Sequence, residues 1–177
     1  MTQRFIMTAF GKDRPGIAAD VTQILYENEC NLEDTSMTLL AGEFTLILLF
    51  SAASINVEGP LSKACRRLEQ EKNVSAFFRP VEPRETEESK AFSLRTIHVE
   101  GLDHAGIVFN ISRFLADSRI NIVNLNSTVK ASPESGTSIY IMDITVQIPE
   151  GADVDSVEQG LIEVADALNV DVALSDG

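Results

Sequence analysis

GKDRPGIAADVTQIL, residues 11–25, returns ninety residues later as GLDHAGIVFNISRFL, residues 101–115. Holding that offset without gaps from Gly11/Gly101 to Thr38/Thr128 pairs 28 positions. Seven are identical: Gly11/Gly101, Asp13/Asp103, Gly16/Gly106, Ile17/Ile107, Leu25/Leu115, Asn31/Asn121 and Thr38/Thr128. Ordinary residue frequencies give about two. Other pairs keep their character, among them Val21/Ile111, Asp20/Asn110 and Leu32/Ile122. Self-similarity at a fixed offset is the mark of a duplicated structural unit.

Each copy carries the same order of signals. A short strand, near Arg4 to Ala9 or Leu94 to Val99, runs into a glycine-containing turn. A helix follows, with Ile17, Val21, Ile24 and Leu25 at i, i+4, i+7 and i+8, and Ile107, Ile111, Phe114 and Leu115 repeat that stripe. After Asn31 or Asn121 a second strand enters a hairpin whose return strand is strongly apolar, FTLILLF in the first copy and SIYIMDITVQI in the second. A second helix, near Pro60 to Lys72 or Val154 to Leu168, and a last strand, Val74 to Val81 or Val170 to Leu174, complete the unit. The order βαββαβ predicts an α+β fold of two ferredoxin-like units, each a four-stranded antiparallel sheet with both helices on one face. The expected domains are 1–80 and 92–177. Between them, 81–91 reads as an acidic solvated linker, with four glutamates and Pro83.

Composition narrows the function. Lys plus Arg number 14 against 27 Asp plus Glu, a net charge of -13, so the field of the chain repels a phosphate backbone and direct nucleic-acid binding is not expected. The two cysteines, Cys30 and Cys65, lack any CxxC or Cys/His spacing for zinc and read as buried free thiols. The N-terminal stretch has no apolar core of signal-peptide length, and the longest apolar stretch, around Phe44 to Phe50, is far short of a membrane span, so a cytoplasmic protein without membrane attachment is expected. His98 and His104 are the only histidines, and no HExxH, Gly-x-Ser-x-Gly or P-loop pattern accompanies them. The reading is of a non-enzyme with no catalytic residue, metal site or cofactor.

The turn GKDRPGI is where chemistry is expected. Gly11 permits unusual backbone, Pro15 presets φ for a first helical turn, and Gly16 removes a side chain where something approaches. Freed N–H groups of Gly16 and Ile17, at the positive end of the helix dipole, suit a small carboxylate. Asp13 then suits an ammonium group, with the amide of Asn31 arriving from the far end of the helix or from a neighbouring unit. The alternative is structural: Asp13 as a helix cap and Asn31 as an ordinary turn residue. In GLDHAGI, His104 replaces Arg14 and Ala105 replaces Pro15, so that turn is expected to be less preset and the two sites need not be equivalent.

Each half resembles an ACT domain, most strongly through the runs GKDRPGIAADVTQIL, NECNLEDTSM and GEFTLILLF of the first, in that order and spacing, and the likeness covers nearly the whole chain. That resemblance implies a small ligand, commonly an amino acid, held between units by the turn after the first strand and the residue after the first helix. The implied ligand-binding residues are Asp13, Arg14, Pro15, Gly16, Ile17 and Asn31, with Asp103, His104, Gly106, Ile107 and Asn121 in the second copy. The implied role is amino-acid-responsive regulation of transcription through a protein partner, a DNA-binding transcription factor, by a homo-oligomer. The alternative function is an oligomerisation or interaction module without a ligand.

Overall fold

The computed structural model describes residues 2–53, 56–82, 91–132 and 136–176. Most of the expected linker, residues 83–90, lies outside the described residues. The chain forms two compact units, residues 1–85 and 86–177. The first runs β1 (Gln3–Lys12), α1 (Ile17–Glu27), β2 (Asn31–Leu40), β3 (Glu43–Ala52), α2 (Glu58–Lys72) and β4 (Val74–Pro80). The second runs β5 (Phe92–Leu102), α3 (Ile107–Asp117), β6 (Asn121–Ala131), β7 (Ser138–Pro149), α4 (Val154–Leu168) and β8 (Val170–Asp176). Each is βαββαβ, with every strand pair antiparallel and the orders β2-β3-β1-β4 and β6-β7-β5-β8.

Alternation in the strands and helical spacing in the helices meet on one face of each sheet. Phe5, Met7 and Ala9 of β1 are fully buried, as are Leu48 and Phe50 of β3, while the residues between them turn to the other face. Against them lie Ile17, Val21, Ile24 and Leu25 of α1 and Leu61, Ala64, Cys65 and Leu68 of α2, all buried in one cluster. The second unit repeats this with Ile97 and Val99 on β5, Met142, Ile144 and Val146 on β7, Ile107, Ile111 and Leu115 on α3, and Leu161 and Ala165 on α4. Burial of each large apolar side chain contributes about 1.5–3 kcal/mol. Phe77 and Phe78 split as consecutive strand residues must: Phe78 packs edge-on to Phe5, and Phe77 is 59% exposed. Cys65 is buried and Cys30 half-buried, both free, and burial raises both thiol pKa values.

Two details position the turns. The register against the hairpin strand slips between Leu32 and Asp34, and again between Ile122 and Asn124, a bulge duplicated with the unit. The first strand is also longer than expected: Gly11 and Lys12 belong to β1, pairing with Phe44 and Glu43. Gly11 is therefore no conformational hinge. A Cβ there would lie 2.9 Å from the carbonyl oxygen of Asn73, and one at Gly101 2.6 Å from Cγ1 of Val170, so both glycines permit the last strand to approach closely. Among the described residues, no helix is long and apolar enough to cross a membrane.

Candidate functional site

The turn that opens α1 is held at its strand end by the N–H of Asp13, which donates to the carbonyl of Gly42 in the β2–β3 turn at 2.9 Å. Gly16 is the helix N-cap, in the left-handed region at φ 88°, and accepts from the N–H of Asp20 at 2.9 Å. No side chain caps the helix. Asp13 is thus not a cap, and its exposed carboxylate reaches no amide of the first helical turn. Pro15 precedes the N-cap instead of starting the helix, because the left-handed Gly16 stands between it and Ile17. Of the two amides expected to be free, that of Ile17 makes a long 3.3 Å bond back to the carbonyl of Arg14. A Cβ on Gly16 would meet nothing within 4 Å, so the space over the helix start is open. Uncapped amides and the positive end of the dipole face that space.

Arg14 turns along the helix. Its Nη2 lies 2.5 Å from Oδ2 of Asp20, and Lys72 Nζ is 3.9 Å from the other oxygen of the same carboxylate. The hydrogen bond from Arg14 holds the Asp20 carboxyl below its usual range, with Lys72 adding to the effect. Sequence reading missed Asp20, although its pairing with Asn110 across the repeat was visible.

The second turn keeps the frame and changes the clamp. The N–H of Asp103 donates to the carbonyl of Ser138 at 3.1 Å, and Gly106, at φ 104°, caps α3. Asn110, standing where the first copy has Asp20, sends both its N–H and its side-chain amide to the carbonyl of Gly106, at 2.9 and 2.8 Å. The expectation of a looser turn fails at His104. Its Nδ1 meets the carbonyl of Ala105 at 3.1 Å and its Nε2 the carbonyl of Leu168 at 2.8 Å, tying the turn to the end of α4. A carbonyl only accepts, so satisfying both requires two N–H donors, which is the imidazolium. The bond to Ala105, then that to Leu168, raises the pKa of His104. His98 lies on strand β5, bonded through Nδ1 to Asp143 at 2.7 Å, which raises its pKa too.

The asparagines fall elsewhere. Asn31 begins β2 and pairs with Ser51, which pairs with Arg4 at the opposite end of β1 from Asp13. Arg4 and Asp13 are nine residues apart on an extended strand, about 30 Å. Asn121 likewise pairs with Gln147, accepted by its side-chain oxygen at 3.0 Å, and Gln147 pairs with Leu94. Each unit therefore gathers Asp13 to Ile17, or Asp103 to Ile107, at one end and carries its asparagine at the other. Among the described residues no group of three or more His, Cys, Asp or Glu side chains is placed to hold a metal ion.

A βαββαβ unit with a glycine-capped, side-chain-free helix start, present twice, defines a ferredoxin-like domain of duplicated type. Within that class, the family model for the ACT domain matches residues 3–79, and the chain belongs to that family, with a second unit of the same topology. The chain is similar to the glycine cleavage system transcriptional repressor of Escherichia coli, 28% identical over 171 residues that span 93% of this chain and 85% of that protein. It is 33% identical over 75 residues to the UPF0237 protein MK1213 of Methanopyrus kandleri, across 42% of this chain and 83% of the relative. The crystal structure of an unknown protein from Galdieria sulphuraria covers 100% of this chain and 99% of its own at a TM-score of 0.80 and 26% identity.

Proposed function

We propose that this chain is a regulatory protein that binds a small amino acid at the turn Asp13 to Ile17 and passes that signal to a protein partner. The observation that carries the reading is the helix start at Gly16: uncapped by any side chain, open above, and flanked by the free carboxylate of Asp13. A zwitterion suits it, with carboxylate on the amides and ammonium beside Asp13. Asp13 and Asn31 do not meet within a unit, so a ligand touching both takes each from a different copy of the unit. Similarity to the glycine cleavage repressor along nearly the whole chain favours glycine as the first ligand to try and a DNA-binding transcription factor as the partner. A net charge of -13 fits action through such a partner better than direct contact with DNA.

The test is calorimetric titration of the full chain with each of the twenty amino acids. Saturable binding of glycine or another small amino acid, weakened about ten- to a hundredfold by Asp13→Ala, is the expected result. No saturable heat with any of them overturns the reading. Nothing specific favours a ligand-free module, whose simplest form required Asp13 to cap α1.

A further inference from the structure

We infer that the outer face of the first sheet, the one without helices, packs against the same face of a second copy of this chain. An antiparallel sheet with one face in water ordinarily carries polar residues there. The first unit departs from that pattern. Pairing of β1 with β3 and β4 puts Ile6 beside Leu49, Thr8 between Ile47 and Phe77, and Phe10 beside Thr45 on the outer face. Phe10, Ile47 and Phe77 are exposed and Ile6 and Leu49 half-buried, so an apolar patch runs across three strands. Single exposed apolar residues are ordinary, whereas a contiguous patch marks a contact.

The second unit has the same register and no such patch. The positions of Thr8, Phe10, Ile47 and Phe77 are held there by His98, Glu100, Asp143 and Ala173. His98 meets Asp143 through Nδ1 at 2.7 Å and Glu100 through Nε2 at 3.6 Å. Covering that face would strip water from three ionisable groups. The fold accepts charges at these positions, so the core does not require the apolar residues of the first unit, and its face, not the second unit's, is the one suited to cover.

Self-complementarity identifies the occupant. Two copies meeting face to face are related by a two-fold axis lying between the sheets, and each contact then occurs twice. With the axis along the strands, β1 of one copy lies over β3 of the other and β2 over β4. Ile6 then covers Leu49, Thr8 covers Ile47, Asp34 meets Arg79 and Lys12 meets Glu43. Those four charged residues are exposed and make no ion pair among the described residues. Stacked sheets lie about 10 Å apart, a gap that such side chains span from both sides. With the axis across the strands, Arg4 falls over Lys12, and Asp34 and Arg79 fall over Thr38 and Ser75, so the ion pairs are lost. Four strands, with β1 running from Arg4 to Lys12, make a face of about 19 by 26 Å, and two such faces bury about 1,000 Å², enough for a specific interface.

Crosslinking of the full chain tests the geometry. The axis runs between β1 and β3, which sets the two Lys12 residues of a dimer at one level with Cα atoms about 11 Å apart. Lys12→Cys treated with an ethylene-bridged bis-maleimide should give a covalent dimer that the parent, with Cys30 and Cys65 alone, does not. No dimer, or as much from the parent, overturns the inference. Sedimentation equilibrium gives a second readout. Ile47→Asp should weaken self-association about a hundredfold, two covered carboxylates at about tenfold each. Ile47 lies on β3, inside the sheet, and Asp143 holds its position in the second unit, so the fold tolerates the change. Thr145→Asp, on the outer face of the second unit, should leave association unchanged. Asp34→Arg should weaken it about five- to tenfold, and adding Arg79→Asp should restore it. Association indifferent to Ile47→Asp, equally sensitive to Thr145→Asp or not restored by the double exchange overturns the inference. So does a chain monomeric throughout, which leaves the face to a different protein.

Discussion

The imidazole Nε2 of His104 lies 2.8 Å from the carbonyl oxygen of Leu168, which joins the turn before α3 to the last turn of α4. The C-terminal carbonyls of a helix carry the negative end of its dipole, so a cation is favoured there. In the first unit Arg14, at the matching position, points along α1 to Asp20, and it is the Asp20 carboxylate that meets Lys72 at the end of α2, at 3.9 Å.

Stability should therefore fall between mildly acidic and mildly basic pH. The folded-state pKa of His104 is raised, by the carbonyls of Ala105 and Leu168, and that of His98 is raised by Asp143. A raised pKa means the folded state holds the proton more tightly than the unfolded chain. The contribution is complete below the unfolded value of about 6.5 and is lost as pH rises through the folded value. Thermal unfolding followed at pH 5.5 and pH 8.5 should give the higher midpoint at pH 5.5. His104→Gln should remove part of that difference, and an unchanged difference in both His104→Gln and His98→Gln would refute the account.

The carboxylates act in the opposite sense at lower pH. Asp20 is lowered first by its bond to Arg14, Glu27 by Gln23 and Arg67, and Glu33 by Ser51 and Arg4. Stability from these groups is present above their unfolded values near 4 and is lost as pH falls through the folded ones. An Asp20→Asn variant should show a shallower loss of stability than the parent below pH 4, measured by denaturant unfolding across that range.

Glycine replacements should rank by cause. At Gly16 the space is open and only the left-handed backbone resists a side chain, so Gly16→Ala should cost about 1 kcal/mol. At Gly101 the backbone is ordinary but a Cβ falls 2.6 Å from Cγ1 of Val170, which must move along with its strand. Gly101→Ala should cost more, about 1–3 kcal/mol. Denaturant midpoints of the two variants check the order.

The duplication and both helix stripes were legible in the sequence because periodicity and burial are set by local spacing, as Ile17, Val21, Ile24 and Leu25 demonstrate. The sheets followed once the unit was seen twice. The site was legible only in part. Gly16 and Gly106 announce a special backbone, but whether Asp13 caps the helix depends on how far β1 runs, and that is fixed by pairing with β3, a non-local contact. The partner of His104 lies 64 residues away on the end of another helix, where no local pattern points to it. Of the two routes open to the Asn31 amide, the far end of its own helix and a neighbouring unit, strand direction leaves the second, and that direction is set by pairing with β3, not by distance along the helix.

Because Asp13 caps nothing, its removal separates binding from stability. Asp13→Ala should leave the unfolding midpoint within experimental scatter, since its backbone N–H keeps the bond to Gly42 and α1 has no side-chain cap to lose. Amino-acid affinity should fall about ten- to a hundredfold, the cost of a lost hydrogen bond to a charged group. Asn31→Ala should behave alike, because Asn31 is exposed on a strand edge. In the second unit, Asp103→Ala should change affinity less, with His104 already tying that turn to α4. Calorimetry beside thermal unfolding for the three variants decides it. A large stability loss in Asp13→Ala with unchanged affinity would return Asp13 to a purely structural role.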